Sequence, residues 1–419
     1  MDAEAERILV VGGGVIGLST AYYLARREVP VLVLERDRVG AGASSGNAGA
    51  IAPGHSTLAR PGRILQALRW LGDPTRPLYI PPRWDPSLFR WLWHFNRFCT
   101  EAHVHRSMEI LGPMGHLGRE LFDEVMEEEG IECHYRTEGY YEVYQTPKGL
   151  DGAREEIPLQ HAHGYQTAEL NAEALREREP ALTAETEGGL FFPEAASTDP
   201  DCFLEGLTRA AVERGAEVRT GSSVQEIRVE GGRARGVRLD SGEILPGRAV
   251  VLATGAYSLD LGRPGGLTLP IQAAKGYHRD MVDEGGEAPE VGMTFMAGET
   301  FVFHTPMGGF LRLAGTLELS GTNHRMVPAR LENLTDSARR YLEGLEGASS
   351  RDDWVGLRPV TPDGLPMVGP APEADGLWVA DGHAMLGLTL GPVTGKLLAE
   401  WMLDGAPSLD LSLLRPDRF

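Results

Sequence analysis

The apolar positions are densest at the start of the chain. Ile8 to Val11 is an unbroken apolar run, Gly12, Gly13, Gly14 and Gly17 follow, and Leu18, Ala21, Tyr22, Leu24 and Ala25 then recur at helical spacing as far as Arg27. A second apolar run, Val31 to Leu34, ends on Glu35. This pattern predicts a strand, a helix and a second strand, a complete βαβ unit. Further on, Asp85 is placed to cap a helix starting at Pro86, with Trp84 and Phe89 spaced as a hydrophobic staple. Leu88, Trp91, Leu92, Phe95 and Phe98 fall on one face of that helix, and Arg90, His94 and Arg97 fall elsewhere. Such a face packs on a core or lines a substrate cavity; tryptophan beside arginine also suits an interfacial membrane contact.

The pattern predicts a helix over 108–129, a strand over 139–144 and charged helical sequence through Glu179. Thr198-Asp199-Pro200 opens a helix that ends near Gly215. Short strands over 217–220, 224–229, 234–239, 243–245 and 249–253 read as a meander returning the chain to the first sheet. Strands at 276–277, 300–304 and 309–314 predict a second sheet. A helix over 336–345, a strand over 377–380 and a helix over 388–402 complete the chain.

A length of 419 residues allows two or three domains. A net charge of −20 argues against nucleic acid as a partner. Cys99, Cys133 and Cys202 have no metal-ligand spacing and are too few for a disulfide framework, so a reducing compartment and no metal site are expected. The acidic first residues lead straight into the first strand, leaving no room for a signal peptide, and no apolar run approaches membrane-spanning length. The expectation is a soluble, cytoplasmic protein, with a possible peripheral contact to the inner face of the membrane.

The glycine spacing carries the first chemistry. Gly12 makes the turn off the strand, Gly14 lets a pyrophosphate approach bare backbone, and Gly17 lets the helix pack closely. Free N–H groups at the helix start, around Val15 and Ile16, suit phosphate. Glu35, eighteen positions after Gly17, can accept both hydroxyls of an adenosine ribose and disfavours a 2′-phosphate. Residues 40–49 carry almost no side-chain bulk and can lie along a flat ligand, with Ser44, Ser45 and Asn47 offering hydrogen bonds. Val224 can meet an adenine through its backbone, and Thr254-Gly255 can pass close to the cofactor. Residues 354–364 hold Arg358 in a Pro/Gly frame. The helix from Leu388 aims its positive end at whatever lies beside Gly387.

Taken together, the βαβ unit, Ser44-Ser45-Gly46-Asn47-Ala48-Gly49, Ala253-Thr254-Gly255, Gly356-Leu357-Arg358-Pro359 and Gly382-His383 with Gly387 resemble the FAD-dependent D-amino acid oxidase superfamily. Within it, Asn47-Ala48-Gly49 before Pro53-Gly54, Lys275-Gly276-Tyr277 and Thr361-Pro362-Asp363-Gly364 are most similar to the bacterial D-amino acid dehydrogenases. The resemblance spans nearly the whole chain. It implies an α/β, mixed α+β architecture: a Rossmann-like FAD-binding domain in a three-layer sandwich, and a substrate domain with a mostly antiparallel sheet. It divides the chain into residues 1–85, 165–268 and 346–419 for FAD, and 86–164 and 269–345 for substrate.

The cofactor contacts it implies are Gly12, Gly14, Val15, Ile16, Gly17, Glu35, Arg36, Ser44, Ser45, Asn47, Ala48, Gly49, Val224, Thr254, Gly255, Gly382, His383, Gly387, Leu388 and Thr389. Arg358 matches the position that binds the substrate carboxylate, with Lys275, Tyr277 and His55 as further candidates beside the substrate. His55 and His278 depart from related sequences and either line the pocket or serve packing. With no cysteine after Cys202, a C-terminal thioether link is impossible and FAD is expected to be noncovalent. The implied reaction is oxidative deamination of D-amino acids, with D-proline and hydroxyproline among the candidate substrates and electrons passed to a quinone or protein carrier. The alternatives are an oxygen-using oxidase of glycine, sarcosine or another secondary amine, and the flavin subunit of a larger amine dehydrogenase complex.

Overall fold

A computed structural model describes residues 6–258, 261, 269–283, 285–286 and 289–419; the acidic start over residues 1–5 lies outside the described residues. Strand β1 (Ile8–Val11), helix α1 (Val15–Ala25) and strand β2 (Val31–Leu34) fall where the apolar pattern places them. Parallel neighbours flank β1 on both sides, β2 on one and Ala249–Leu252 on the other. Glu217–Arg219, Leu377–Asp381 and an antiparallel edge strand, Met367–Pro370, complete a six-stranded sheet.

Alternation along β1 decides the layers. Ile8 and Val10 pack on the helical side with α1 and the helices Pro200–Glu213 and Gly387–Asp404. Leu9 and Val11 face the opposite way, onto the antiparallel meander Val224–Glu230, Arg233–Leu239 and Ile244–Pro246. All four β1 side chains are buried, each contributing about 2 kcal/mol of transfer free energy. Helices, parallel sheet and meander thus form the expected three layers.

The second sheet has nine strands, all antiparallel except where Phe295–Ala297 pairs with Tyr140–Tyr144 and Phe310–Glu318 with Leu78–Tyr79. The helix Pro328–Tyr341 covers its far face, burying Leu331, Leu334, Ala338 and Tyr341 against Val302, Leu311 and Leu313. The near face turns toward the nucleotide-binding layer. Arg330, fully buried in that helix, donates to the carbonyls of Pro74, Arg76, Pro77 and Leu317 at 3.0–3.2 Å, fastening the 74–78 segment to the sheet.

Several elements differ from the sequence expectation. Arg358 lies in a regular strand, Ser349–Val360, where the sequence suggests a rigid Pro/Gly frame. That strand and the pair Ala168–Asn171 and Gly188–Phe192 run in the nine-stranded sheet, although their segments had been grouped with the nucleotide layer. The helix expected from Asp336 starts eight residues earlier, with Pro328 preset for its first turn. The helix expected from Met108 begins at Glu101, where the Thr100 side chain accepts from the His103 N–H.

Candidate active site

A single cavity of about 770 Å³ runs from the carboxyl ends of β1 and β2 to the near face of the nine-stranded sheet. This volume lies in the range of cofactor and ligand clefts. At one end, the turn off β1 is possible because Gly12 takes φ +113°. A Cβ at Gly17 would collide with the Gly12 carbonyl oxygen, so that glycine sets helix against strand and does not line the cavity. Gly14 caps α1 with no side-chain cap bond, and of the first-turn N–H groups that of Val15 donates to Ser44 Oγ at 3.0 Å. Glu35 is fixed by the N–H groups of Gly13 at 2.7 Å and Asp37 at 2.9 Å. Arg36 stacks over Tyr257 at 3.8 Å from the ring centre.

Gly12, Gly14, Val15, Ile16, Glu35, Arg36, Ser44, Asn47, Ala48, Val224, Thr254, Gly255, His383, Gly387, Leu388 and Thr389 all line this cavity. Ser45, Gly49 and Gly382, like Gly17, lie behind the wall and shape its backbone. The 44–49 loop is held from the large sheet. Arg312 donates to the carbonyls of Ser45 at 3.0 Å and Asn47 at 3.2 Å, while gripping both oxygens of buried Asp280 at 2.8 and 2.9 Å. Thr305 Oγ donates to the Ala48 carbonyl at 2.7 Å, and His278 Nδ1 lies 3.2 Å from the Gly46 carbonyl. Although His278, Asp280 and Asp352 converge, Arg312 takes up the Asp280 carboxylate, so the group is a loop clamp. His278 stacks on Trp354 and its burial pushes its pKa down to about 4.

Deeper in, the helix Gly387–Asp404 points its first turn into the cavity through Gly387, Leu388 and Thr389. Burial holds Asp381 up at about 7, with Ser258 and the Gly382 N–H bonded to its carboxyl group. His383 is neutral, pushed down to about 3 by burial, and its Nδ1 has no partner among the described residues. A bare helix terminus, an acceptor fixed at a strand end and an unpartnered buried ring nitrogen together fit a flavin dinucleotide. None of the three cysteines lines the cavity.

The substrate end is built on the nine-stranded sheet. The Arg358 side chain lies over Gly276, where any Cβ would strike the guanidinium, and donates to the Thr316 carbonyl at 2.7 Å. No described carboxylate pairs with it. It borders the cavity, and burial together with the like charge of Arg330 holds its pKa down at about 10. His55 also lines the cavity, its Nε2 2.5 Å from the Tyr140 hydroxyl, and burial lowers its pKa.

Lys275 and Tyr277 are corrected. Strand alternation that turns Gly276 toward Arg358 turns its neighbours away, and both bond to Glu318 on the far side, at 3.1 and 2.6 Å. Neither lines the cavity. Sequence reasoning also missed residues: the Arg312–Asp280 clamp, and Tyr140, Glu142 and Tyr144 on the cavity wall. The period-two spacing of two tyrosines around a carboxylate was a signal for the latter; nothing local marks the clamp.

Residues 7–401 match the family described as FAD dependent oxidoreductase, DAO. The chain is 36% identical over 411 residues to a D-amino acid dehydrogenase of Methylobacterium nodulans, covering 96% of each chain. It is 35% identical over 421 residues to one from Cereibacter sphaeroides, covering 99% of this chain and 95% of that one. Among solved structures, glycine oxidase from Geobacillus kaustophilus superposes with a TM-score of 0.77 at 25% identity, covering 98% of both chains. L-proline dehydrogenase from P. horikoshii shares the fold, with a TM-score of 0.74 at 19% identity over 99% of this chain and 97% of that one. With its nucleotide-binding turn, its cavity and its full-length relatives in agreement, the chain belongs to the DAO family of FAD dependent oxidoreductases.

Proposed function

We propose that this protein is an FAD-dependent dehydrogenase of D-amino acids. The observation that carries the reading is Arg358, a guanidinium at the cavity wall with one carbonyl partner and no described carboxylate. A planar guanidinium takes an α-carboxylate bidentately, and so fixes which face of the α-carbon is presented. Bound FAD supplies a hydride acceptor at N5 for the α-hydrogen of the neutral amine. The chain's own part is mainly positioning. Arg358 orients the carboxylate, the sheet roofs the site and limits water, and the first turn of Gly387–Asp404 sets positive partial charge beside the cofactor end. The resulting iminium takes up water and releases ammonium and a 2-oxo acid.

Anaerobic bleaching of the purified yellow protein with paired D- and L-amino acids tests the reading. Reduction by D-isomers is expected; reduction only by glycine or sarcosine, with peroxide formed in air, moves the protein to the amine oxidases. Arg358→Ala is expected to lower kcat/KM by at least about a hundredfold, the scale of a lost charge-assisted pair, while the flavin stays bound. Normal reduction of that variant at low substrate refutes the assignment.

The proposed electron acceptor is a membrane quinone or a protein carrier. Two helices, Arg63–Trp70 and Pro86–Phe98, with their flanks leave Leu65, Leu68, Leu71, Trp84, Phe89 and Trp93 exposed, Trp84 by 86%. Arg69, Arg90 and Arg97 accompany them in an otherwise acidic chain. This face suits a peripheral contact with an anionic bilayer. No described helix is long and apolar enough to cross a membrane. Flotation with phosphatidylglycerol vesicles is expected to carry the protein, and Trp84→Ala with Trp93→Ala to release it; no flotation of the wild type rejects the contact.

A further inference from the structure

Besides Arg358, a buried acidic side chain that makes no described ion pair faces the cavity. Glu142 lines the wall from the middle of the Tyr140–Tyr144 strand, 8% exposed, and accepts hydrogen bonds from Tyr144 at 2.7 Å and Tyr140 at 3.1 Å. Burial and Glu142 itself raise the pKa of both tyrosines, so both stay donors. His55 Nε2 lies 2.5 Å from the Tyr140 oxygen and extends this set of contacts. The nearby Arg60 feels the field of Glu142 but makes no described hydrogen bond to it. Its guanidinium goes to both oxygens of Glu156, to Ser56 Oγ and to the Thr57 carbonyl. Arg63, also on the wall, donates to Gln66 and lies over the Phe301 ring.

The register relates Glu142 to Arg358. Glu142 pairs with Met296, Met296 with Phe303, and Phe303 with Ala314, so one cross-strand row shares the cavity face. Arg358 reaches over to Thr316, two residues beyond Ala314. Three strand spacings and two residues along the strand set the Glu142 and Thr316 backbones about 16 Å apart. Between them, Met296 and Phe303 provide an apolar floor. An extended lysine measures about 7 Å from carboxylate carbon to Nζ, and an ion pair at each end adds about 4 Å. The sum is close to that backbone separation, and the floor suits the methylene stem.

We propose that Glu142 recognises a protonated side-chain terminus, so that the preferred substrates are D-amino acids with a long cationic side chain, of the lysine class. The inference rests on Arg358 holding the α-carboxylate, as proposed above. A fixed carboxylate with spare lone pairs gains a desolvated partner from such a substrate and nothing from an apolar one.

The test is anaerobic flavin reduction of the holoenzyme by D-lysine, D-norleucine, D-glutamate and D-alanine at low concentration. D-lysine is expected to reduce the wild type at least tenfold faster than D-norleucine, which has the stem without the charge. Glu142→Gln is expected to collapse that ratio toward one. Met296→Lys, which sets a cation beside Glu142 in register, is expected to do the same if Glu142→Gln does not fold. D-norleucine or D-glutamate ahead of D-lysine in the wild type overturns the inference while leaving the D-amino acid reading intact, as does an unchanged ratio in a folded variant. No reduction by any of the four overturns both.

Discussion

At the scale of single residues, charges within one sheet do two different jobs according to the face they occupy. Arg358 and Glu142 face the cavity and keep binding capacity. Lys275 faces away and spends its ammonium on Glu318, Asn323 and the Arg325 carbonyl at 2.8–3.1 Å. Lys275→Met leaves Glu318 buried with one donor fewer, and a loss of about 3–5 kcal/mol in unfolding free energy is expected. Chemical denaturation measures it, and KM of the folded fraction should stay near wild type. A raised KM with unaltered stability would instead place Lys275 at the substrate. Gly17 is similarly structural: any side chain there meets the Gly12 carbonyl, so Gly17→Val should cost FAD affinity through a displaced helix.

At the scale of elements, the residues most dependent on context were the least legible. The β1-α1-β2 unit could be read almost to its ends, with α1 stopping at Ala25 rather than Arg27, because apolar runs, glycine spacing and Glu35 agree. The cap at Asp85 and its Trp84–Phe89 contact, 5.7 Å between rings, were equally local. The strand bearing Arg358 was hidden because Gly356, Pro359 and Pro362 read as loop residues; its pairing with Gln272–Val282 overrides that preference. Ala168–Asn171 was hidden in charged sequence because three of its four side chains are exposed and it lies at the sheet edge. In the candidate site, the backbone cradle was legible and the sheet-borne wall was not, since only the fold brings position 142 opposite position 296. The Arg312–Asp280 clamp is another long-range product. Arg312→Lys keeps the charge but loses the fork, so FAD retention during dialysis should fall together with stability. Full retention of the flavin would show that the 44–49 loop holds its shape unaided.

At the scale of the whole molecule, buried ionisable groups set the pH response. Burial holds His278 near 4 and His304 and His383 near 3, against about 6.5 unfolded. The unfolded chain therefore binds protons that the native one refuses, and stability falls as pH drops from about 6.5 toward 4. Asp381, held up near 7, has the opposite sign: the native state keeps a proton that the unfolded state releases above about 4. Three groups outweigh one, so the melting temperature of the apoprotein is expected to fall on acidification through this window. His304→Phe, next to Phe295 at 4.3 Å, should flatten the slope; an unchanged slope would place the acid sensitivity elsewhere. Finally, β1 lies between β2 and Ala249–Leu252, and α1 packs against Gly387–Asp404, near the other end of the chain. While the polypeptide is still emerging from the ribosome, the glycine turn that is made first has neither its inner sheet neighbour nor its covering helix. The cofactor layer is therefore completed only after Asp404 has emerged. A message truncated after codon 360 would yield every strand of the nine-stranded sheet and no finished berth for the dinucleotide.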